Sequence, residues 1–275
     1  MPEGHTLFAL ARDLHAAFAG TRPEVTSPQG RFEEGAAQVT GRELLAATSR
    51  GKHLFLEFEG ERWVHVHLGL IGTFRVDGRD WTAEVAPVGA VRMRLATPEH
   101  VADLRGPNLC AVVTPDEVAA VLDRLGPDPL RPDADPDRAW RRIQRSSRSV
   151  GELLMDQAVL AGVGNVYRSE VLWRHRLSPF TEGRAMKPAS WRLVWDDLVR
   201  LMPLGVATGR IVTVEEQVLE VEAALGRGER PHLTERTSQV YKRAGEECPR
   251  CGSRIRTQVV AGRNLFWCGR CQRRR

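Results

Sequence analysis

Residues 156–170 read DQAVLAGVGNVYRSE, a stretch that joins two helical patterns through a glycine-rich turn. The two patterns cover Val150–Leu160 and Val163–Trp173. Gly162 and Gly164 permit a positive φ and a close approach of the backbone, so the chain can reverse sharply there. The N–H groups at the start of the second helix, where Asn165 stands, can bind an anion. A purely structural turn is the alternative, because glycine-rich connections between helices are common.

Further helical patterns lie on both sides of this stretch. Trp140–Arg148 contains four arginines, Ser190–Met202 carries apolar residues at helical spacing, and Glu215–Leu225 adds another candidate helix. Before them, residues 126–138 hold four prolines interleaved with four aspartates, which disfavours both helix and strand. We therefore expect a linker over 126–138 and a helical domain over 139–241.

Two pairs of cysteines near the C-terminus predict a metal centre. The pairs are Cys248 with Cys251 and Cys268 with Cys271, each with two residues between the cysteines, and sixteen residues separate the pairs. Two such turns provide the four thiolates of a tetrahedral zinc site. Because all four ligands are cysteine, no position remains for water, and we expect one structural zinc ion. Two redox-active pairs are the alternative, but these would accompany a βαβ pattern that the sequence lacks.

The segment between the cysteine pairs predicts a β-hairpin. Ile255–Val260 and Asn264–Trp267 read as strands around a turn at Gly262, with Arg263 projecting from the tip. An arginine at the tip of a zinc-stapled hairpin suits a phosphate backbone. A solvated arginine at a turn is the alternative. We assign residues 242–275 to this zinc-ribbon hairpin.

The first part of the chain, residues 1–125, predicts a β-rich domain opened by one helix. Helical spacing covers His5–Phe18, and Leu54–Phe58 and Trp63–His67 read as the strands of a hairpin. Val91–Leu95 alternates as a half-buried strand does. The predicted fold class is therefore an α+β multidomain protein with an N-terminal β-sandwich.

The charge distribution favours a polyanionic partner. The formal net charge is +5 and the pI about 9.2. Residues 242–275 contain ten Lys and Arg and two Glu, so they carry the excess, and residues 1–241 are mildly acidic. A basic tail that is only solvated is the alternative.

Other features of the sequence exclude the classes of membrane-spanning and secreted proteins. No apolar run approaches the ~18 residues that a membrane span requires, and the N-terminus carries no signal-peptide pattern. We expect a soluble intracellular protein without disulfides. The fifth cysteine, Cys110, is interpreted as a small buried thiol.

Four motifs occur in an order that resembles a known family. They are Pro2-Glu3-Gly4, Gly51-Lys52, the string from Gln157 through Gly164-Asn165 to Glu170, and the four-cysteine hairpin. Together they resemble the formamidopyrimidine-DNA glycosylase/endonuclease VIII family over residues 2–271. The resemblance implies an N-terminal β-sandwich, a helix–two-turn–helix DNA-binding domain and a zinc-ribbon hairpin.

The resemblance implies that the active site lies at the N-terminus. Removal of Met1 would expose the secondary amine of Pro2, and an α-amino group titrates near ~8, so part of it is neutral at working pH. This amine would attack C1′ of a damaged nucleotide, expel the base and leave a covalent iminium. Strand cleavage by elimination would follow. Glu3 would act as general acid/base, although its residue type alone suggests only an acid at a helix N-terminus.

The resemblance also assigns DNA-contacting residues. Lys52 would contact the phosphate of the lesion or assist catalysis, with an ordinary exposed lysine as the alternative. Asn165 and Arg263 would hold the phosphates around the flipped nucleotide. Leu70, within residues 67–74, would fill the gap left by the extruded base, with a core leucine in a hairpin as the alternative.

One stretch departs from the family pattern. Family members that remove oxidised guanine usually place an Arg and a Phe together on an intercalating loop. The corresponding stretch here is Asp103–Leu109, where Arg105 can substitute but no Phe follows. The Pro-Glu-Gly opening favours the endonuclease VIII branch and therefore oxidised pyrimidines. Glu170 and Tyr167 are interpreted as support for the site.

A second metal site is a weaker hypothesis. His65 and His67 share one strand face, but the sequence offers no third ligand beside them.

The sequence supports one main function and leaves alternatives open. The main hypothesis is a monomeric glycosylase and abasic-site lyase that acts on damaged DNA in the bacterial cytoplasm, without a membrane partner. A damage sensor of the same fold that does not cut DNA, and an enzyme for unusual lesions such as crosslinks, are alternatives. A zinc-ribbon transcription or RNA-binding factor would leave the N-terminal motif unexplained.

Overall fold

The computed structural model describes residues 2–78, 86–233 and 238–273. The chain forms two compact units, Met1–Arg124 and Leu125–Arg275. The elements of the first unit are α1 Gly4–Phe18, β1 Glu24–Thr26, α2 Glu33–Val39, β2 Leu44–Arg50, β3 His53–Phe58, β4 Arg62–His67, β5 Thr73–Asp77, β6 Val91–Ala96, β7 Val101–Arg105, β8 Leu109–Val113 and α3 Pro115–Arg124.

The first unit is a two-layer antiparallel sandwich. Its sheets have the strand orders β1-β6-β7-β5 and β2-β3-β4-β8. Alternate side chains of both sheets meet in one apolar core, and α1 adds its buried stripe to it. Buried members of this core include Leu7, Leu14, Phe18, Leu54, Leu56, Val64, Val66, Met93, Leu95 and Leu104. The predicted sandwich with an opening helix is confirmed.

The predicted β3–β4 hairpin is present in register. Leu54 pairs with Val66 and Leu56 with Val64, and Gly60 adopts a φ of +81° in the turn. The predicted strand at Val91 is β6. Cys110 lies half-buried in β8, where burial raises the pKa of its thiol to about 12.

The second unit contains the helices and the hairpin. Its elements are α4 Pro136–Ile143, α5 Val150–Leu153, α6 Asn165–Arg174, a 3-10 turn at Gly183–Ala185, α7 Pro188–Thr208, α8 Glu215–Gly226, β9 Ile255–Val260 and β10 Arg263–Cys268. Helices α4 to α8 share an apolar core to which α7 contributes buried Trp191, Leu198 and Met202. Within the described part of the chain, no helix is long and apolar enough to cross a membrane.

The helix predicted over Val150–Leu160 is wrong in length. A capping box starts α5, because Ser149 Oγ accepts from the Glu152 N–H and Glu152 accepts from the Ser149 N–H. The helix then ends at Leu153. Beyond that end, the Gln157 side chain binds the backbone of the turn. Its Oε1 accepts from the Gly162 N–H at 2.9 Å, and its Nε2 donates to Val163 O at 3.0 Å. These side-chain bonds favour a turn over a continued helix.

Two other boundaries differ from the prediction. The helix expected over Trp140–Arg148 is α4, which begins earlier, at Pro136, and ends at Ile143. Asp135 caps it by accepting from the Asp137 N–H at 2.8 Å, and proline suits the first helical position. Residues 136–138 of the expected linker are therefore helical.

The beginning of the expected linker is packed. A Cβ placed on Gly126 would lie 2.3 Å from Val159 O, so only glycine fits there.

Candidate nucleic-acid interface and zinc centre

The four cysteine sulfurs form a compact cluster. All lie within 4.8 Å of one another, with 3.9 Å between the Sγ atoms of Cys248 and Cys271 and 3.4 Å between those of Cys251 and Cys268. A tetrahedral zinc ion with Zn–S bonds of ~2.3 Å requires S···S separations of about 3.8 Å. The cluster therefore fits one zinc ion. Since every ligand is a thiolate, the ion is structural and holds the ends of the hairpin together.

The zinc end of the hairpin packs on the C-terminal part of α6. Trp173 Nε1 donates to Cys248 Sγ at 3.4 Å, and the guanidinium of Arg250 lies 4.1 Å from the centre of the Trp173 ring. The buried side chains of Trp173, Val240, Ile255 and Phe266 share a small apolar cluster with the cysteines. The zinc site is thus part of the packing that fixes the hairpin against the helix.

The hairpin has the predicted strands and turn. Six residue pairs join β9 and β10, from Cys268 opposite Ile255 to Arg263 opposite Val260. Ala261 and Gly262 form a two-residue turn with φ values of +53° and +69°, as a type I′ turn requires. Arg263 is therefore the first residue after the tip, where it is half-buried and its Nη1 donates to Gly262 O at 3.1 Å.

The tip of the hairpin meets the start of α6. Asn165 Nδ2 donates to Asn264 O at 2.9 Å, and Arg168 Nη1 donates to Val260 O at 3.2 Å. Arg168 is fully buried and also donates to Asn165 Oδ1. The structure thus brings Asn165 and Arg263 to one place, although their numbers differ by about a hundred.

Glu170 and Tyr167 lie inside the second unit. The Glu170 carboxylate is fully buried and accepts from the Thr213 hydroxyl and from the backbone N–H groups of Gln239, Val240 and Tyr241. It therefore fixes the chain that enters the zinc hairpin. Tyr167 is also fully buried. Both residues have structural positions in the second unit.

In the first unit, Glu3 and Lys52 lie at the same end of the α1–β2 layer. Gly20 N donates to Leu44 O, and Ala47 N donates to His15 Nδ1 at 3.4 Å, so α1 runs antiparallel to β2. Along the helix, at ~1.5 Å per residue, Glu3 lies about 17 Å from His15. Along the strand, at ~3.3 Å per residue, Lys52 lies about 17 Å from Ala47 in the same direction.

Glu3 is fully buried immediately before α1, while Pro2 is half-buried. Lys52 is half-buried in the two-residue turn between β2 and β3, where Gly51 has a φ of +58°.

A third histidine joins the predicted pair. His53 Nδ1 lies 2.8 Å from His65 Nε2, and the ring centres of His53 and His67 are 5.2 Å apart. Burial, and to a lesser extent the neighbouring imidazoles, lowers the pKa of His53 to about 3 and that of His65 to about 4. Sequence reasoning named only His65 and His67. The pairing of β3 with β4 could have identified the third histidine, because its register places His53 opposite His67.

This cluster does not support the second metal site. Among the residues that the structure describes, only the four cysteines bring three or more ligand atoms close enough for a metal ion. Burial lowers the pKa of all three imidazoles, to about 3 for His53 and about 4 for His65.

Leu70 lies in an exposed loop, so the alternative of a core leucine is wrong. The loop connects β4 of one sheet to β5 of the other, and the exposed fractions are 47% for Leu70 and 84% for Ile71. Gly69 adopts a φ of +69°, and a Cβ on Gly72 would lie 2.2 Å from Leu68 O. This tight backbone presents two adjacent apolar side chains to solvent, of which sequence reasoning named only the first.

Arg105 is held by neighbouring groups at the end of β7. Its Nη2 donates to Asp103 Oδ2 at 2.8 Å and its Nε to Val88 O at 3.1 Å. Burial alone would raise the pKa of Asp103, but the guanidinium groups of Arg94 and Arg105 outweigh it and lower that pKa. Only three residues join β7 to β8, so the predicted intercalating stretch is a short turn.

Comparisons with known proteins agree with this architecture. A family model described as "Formamidopyrimidine-DNA glycosylase N-terminal domain" matches residues 1–107. The "Formamidopyrimidine-DNA glycosylase H2TH domain" matches residues 125–216, and the "Zinc finger found in FPG and IleRS" matches residues 245–274.

Relatives and solved structures match along the whole chain. Endonuclease 8 1 of Mycobacterium tuberculosis is 49% identical over 99% of this chain and 100% of its own length. Probable endonuclease 8 2 of Streptomyces coelicolor is 34% identical over 99% of this chain and 94% of its own. The Lactococcus lactis Fpg in complex with an abasic site containing DNA has the same fold, with a TM-score of 0.78, 22% identity and coverage of 99% and 100%.

Proposed function

The chain belongs to the formamidopyrimidine-DNA glycosylase/endonuclease VIII family, and we propose that it is a bifunctional enzyme, a glycosylase that also cleaves abasic sites. As a family member it is a DNA glycosylase that acts on damaged DNA. The lyase activity and a preference for oxidised pyrimidines are the proposal. The observation that carries it is the full-length match to an enzyme named endonuclease 8, combined with the Pro2-Glu3 terminus.

The proposed nucleophile is the nitrogen of Pro2 after removal of Met1. Its lone pair forms a bond to C1′, and the bond from C1′ to the damaged base breaks with its electrons going to the base, which takes up a proton. The proline nitrogen then loses its proton, and the bond from C1′ to the ring oxygen breaks with its electrons going to the oxygen, which takes up a proton. A cationic iminium between C1′ and the proline nitrogen results. The iminium acidifies the C2′ protons, so loss of one proton expels the 3′ phosphate and cuts the strand.

Glu3 and Lys52 are the proposed groups for proton transfer and lesion positioning. Glu3 follows the nucleophile directly and is fully buried, which suits a carboxylate that exchanges protons with the sugar. The antiparallel packing of α1 on β2 supports a position of Lys52 at the same end of the unit. There its ammonium group would neutralise a phosphate beside the lesion.

The proposed phosphate clamp consists of Asn165 and Arg263. The Asn165 amide has two N–H donors, of which one binds Asn264 O, so the second can donate to a phosphate oxygen. Arg263 adds a guanidinium at the hairpin tip. Zinc acts only through structure here: it holds the hairpin whose tip carries the clamp.

Leu70 and Ile71 are the proposed wedge. Two exposed neighbouring apolar side chains on a tight loop can enter the base stack when a nucleotide is extruded, as apolar wedges do in kinked duplexes. Replacing both by alanine should weaken the binding of lesion duplexes. It should leave the cleavage of a single-stranded abasic oligonucleotide nearly unchanged, because that substrate has no stack to fill.

The preference for pyrimidine lesions rests on two observations. The relatives at 49% and 34% identity are named endonuclease 8, whereas a relative from Thermus thermophilus named formamidopyrimidine-DNA glycosylase is 31% identical. In addition, Arg105 is tied to Asp103 at the end of β7, and the three-residue turn that follows carries no Phe. A lesion panel that contains oxidised thymine and oxidised guanine tests this preference.

The proposed enzyme acts as a monomer in the bacterial cytoplasm, where its substrate lies. A mass measurement in solution tests the monomeric state.

The deciding experiment is borohydride trapping on a duplex with one abasic site. We expect a covalent protein–DNA band, formed only by protein from which Met1 has been removed, as mass spectrometry verifies. The matched control retains one residue before Pro2, which turns its nitrogen into an amide without nucleophilicity. DNA binding without a band in the processed protein would overturn the proposal and favour the damage sensor.

A further inference from the structure

Two clefts in the second unit carry positive charge that the proposed clamp does not use. One has a volume of about 340 Å³ and is lined by Arg176, Lys187 and Arg273, together with Ser178, Thr181 and Ser190. The other, of about 320 Å³, is lined by Arg254, Arg256, Arg270 and Arg273. Arg273 lines both, so the two clefts are adjacent, and we refer to the pair as the track. We call its six cations, Arg176, Lys187, Arg254, Arg256, Arg270 and Arg273, the distal basic surface.

The cations of the distal basic surface are not neutralised by acids. Within the described ranges, none of the six forms an ion pair, and no aspartate or glutamate lines either cleft. Other arginines of this unit do have carboxylate partners, for example Arg174 with Asp197 and Arg227 with Glu229. The charges here therefore add up instead of cancelling, which favours a polyanion.

Hydroxyl and backbone donors extend the track. Ser178, Thr181 and Ser190 line the first cleft, and α7 begins there without a side-chain cap. Phosphate oxygens accept from cations, hydroxyl groups and backbone N–H groups alike.

The distal basic surface lies at the far end of α6 and of the hairpin from the clamp. Asn165 begins α6, whereas Arg176 follows its end, about 15 Å away for ten residues of helix. Arg263 follows the hairpin tip, whereas Arg256 lies opposite Trp267, about 13 Å away along the strands, and Arg270 follows the end of β10 at the zinc end. A phosphate bound at the clamp thus leaves the distal basic surface accessible.

We propose that the distal basic surface binds the phosphodiester backbone of a second DNA segment while the clamp holds the lesion duplex. Two clefts joined by one arginine suit a row of phosphates better than a single ion, and such contacts carry no sequence preference. A second contact would keep the enzyme on DNA while it transfers between segments. The inference rests on the proposed function in one respect, namely that a lesion duplex occupies the clamp.

The test starts from protein that borohydride has linked to a short abasic duplex, so that the clamp is filled. A longer undamaged duplex with a fluorescent label is then titrated by anisotropy at several salt concentrations. We expect saturable binding that Lys187→Gln/Arg273→Gln weakens about tenfold, with a salt slope lower by about 1.8 because two phosphate contacts are lost. Both substitutions spare the zinc ligands.

The matched control is Arg227→Gln/Arg230→Gln, which removes the same charge from exposed positions outside the track. Equal weakening by both double variants, or no binding of the second duplex, would overturn the proposal. Inorganic phosphate is titrated at matched ionic strength, and saturable phosphate binding without duplex binding would likewise overturn it in favour of a small-anion pocket.

Failure of the borohydride linking step is distinguishable from failure of the second site. It would reject the proposed lyase activity, and the second site could still be tested. The same comparison is then made in Arg263→Ala protein, where the clamp is weakened. A difference between the two double variants in that background would still support the distal basic surface, and equal binding would reject it.

Discussion

The side-chain amide of Asn165 donates a hydrogen bond of 2.9 Å to the backbone carbonyl of Asn264. This bond joins the start of α6 to the strand that Arg263 opens, so one side chain fixes two parts of the proposed clamp. Asn165 itself is 4% exposed, so neighbouring groups surround its side chain. The clamp is therefore formed by packing between segments that are far apart in the chain.

Arg263→Ala should weaken binding to lesion duplexes of every sequence by a similar factor. Phosphate contacts carry no sequence information, and loss of one should lower the salt slope of binding by about 0.9. Anisotropy titrations with several lesions and salts measure both quantities. Arg227→Ala is the control, and a change of lesion preference with unchanged affinity would contradict the phosphate role.

Glu3→Gln should slow base release by about 10²- to 10⁴-fold, because the amide cannot transfer a proton. Cleavage of a preformed abasic site should fall less, since no base has to leave. Single-turnover assays on both substrates separate the steps, with exposed Glu33→Gln as control. Equal losses on both substrates would argue against a role in base expulsion.

Removal of zinc should unfold the hairpin and abolish tight DNA binding. The ion holds four thiolates in one cluster, and Trp173 packs directly on Cys248, so tryptophan fluorescence should change with metal loss. A chelator titration followed by fluorescence, metal analysis and DNA binding measures this. Cys110→Ser should behave like the natural protein, and DNA affinity that survives verified metal loss would count against the clamp.

Glu170→Ala should lower the free energy of unfolding by at least about 3 kcal/mol. The substitution leaves the backbone N–H groups of residues 239–241 without their acceptor, and the N–H of Val240 is fully buried. Glu170→Gln should cost less, because one carbonyl oxygen remains. Denaturant unfolding measures the difference, with exposed Glu220→Ala as control; loss of activity at unchanged stability would instead place Glu170 in the site.

Stability should fall as the pH drops from about 6.5 towards 5. His53 and His65 have lowered pKa values in the folded protein, about 3 and about 4, because burial disfavours their charged forms. The unfolded chain then binds more protons below about pH 6.5, at a slope of at most about 1.4 kcal/mol per pH unit for each histidine.

Unfolding curves at several pH values test this prediction. His53→Gln/His65→Gln should flatten the dependence between pH 6.5 and 5, where most carboxylates stay ionised. Exposed His232→Gln should leave it unchanged. An equally steep dependence in the double variant would show that other groups dominate.

The sequence by itself determined the features that depend on short spacing. The cysteine pairs, the hairpin around Gly262 and the α1, β3, β4 and β6 patterns all follow from residues that lie within a few positions of one another. Local spacing fixes which side chains share a face or a turn, so these features could be predicted before any packing was known.

Only the tertiary structure decided which side chains meet across long separations. Helix α5 ends at Leu153 because Gln157 binds backbone groups of the turn, and Glu170 receives its partners from residues 239–241. The exposure of Leu70 and the track through Arg273 likewise depend on how loops and strands pack. Such contacts arise from the burial of whole elements, a property that no short segment of sequence contains.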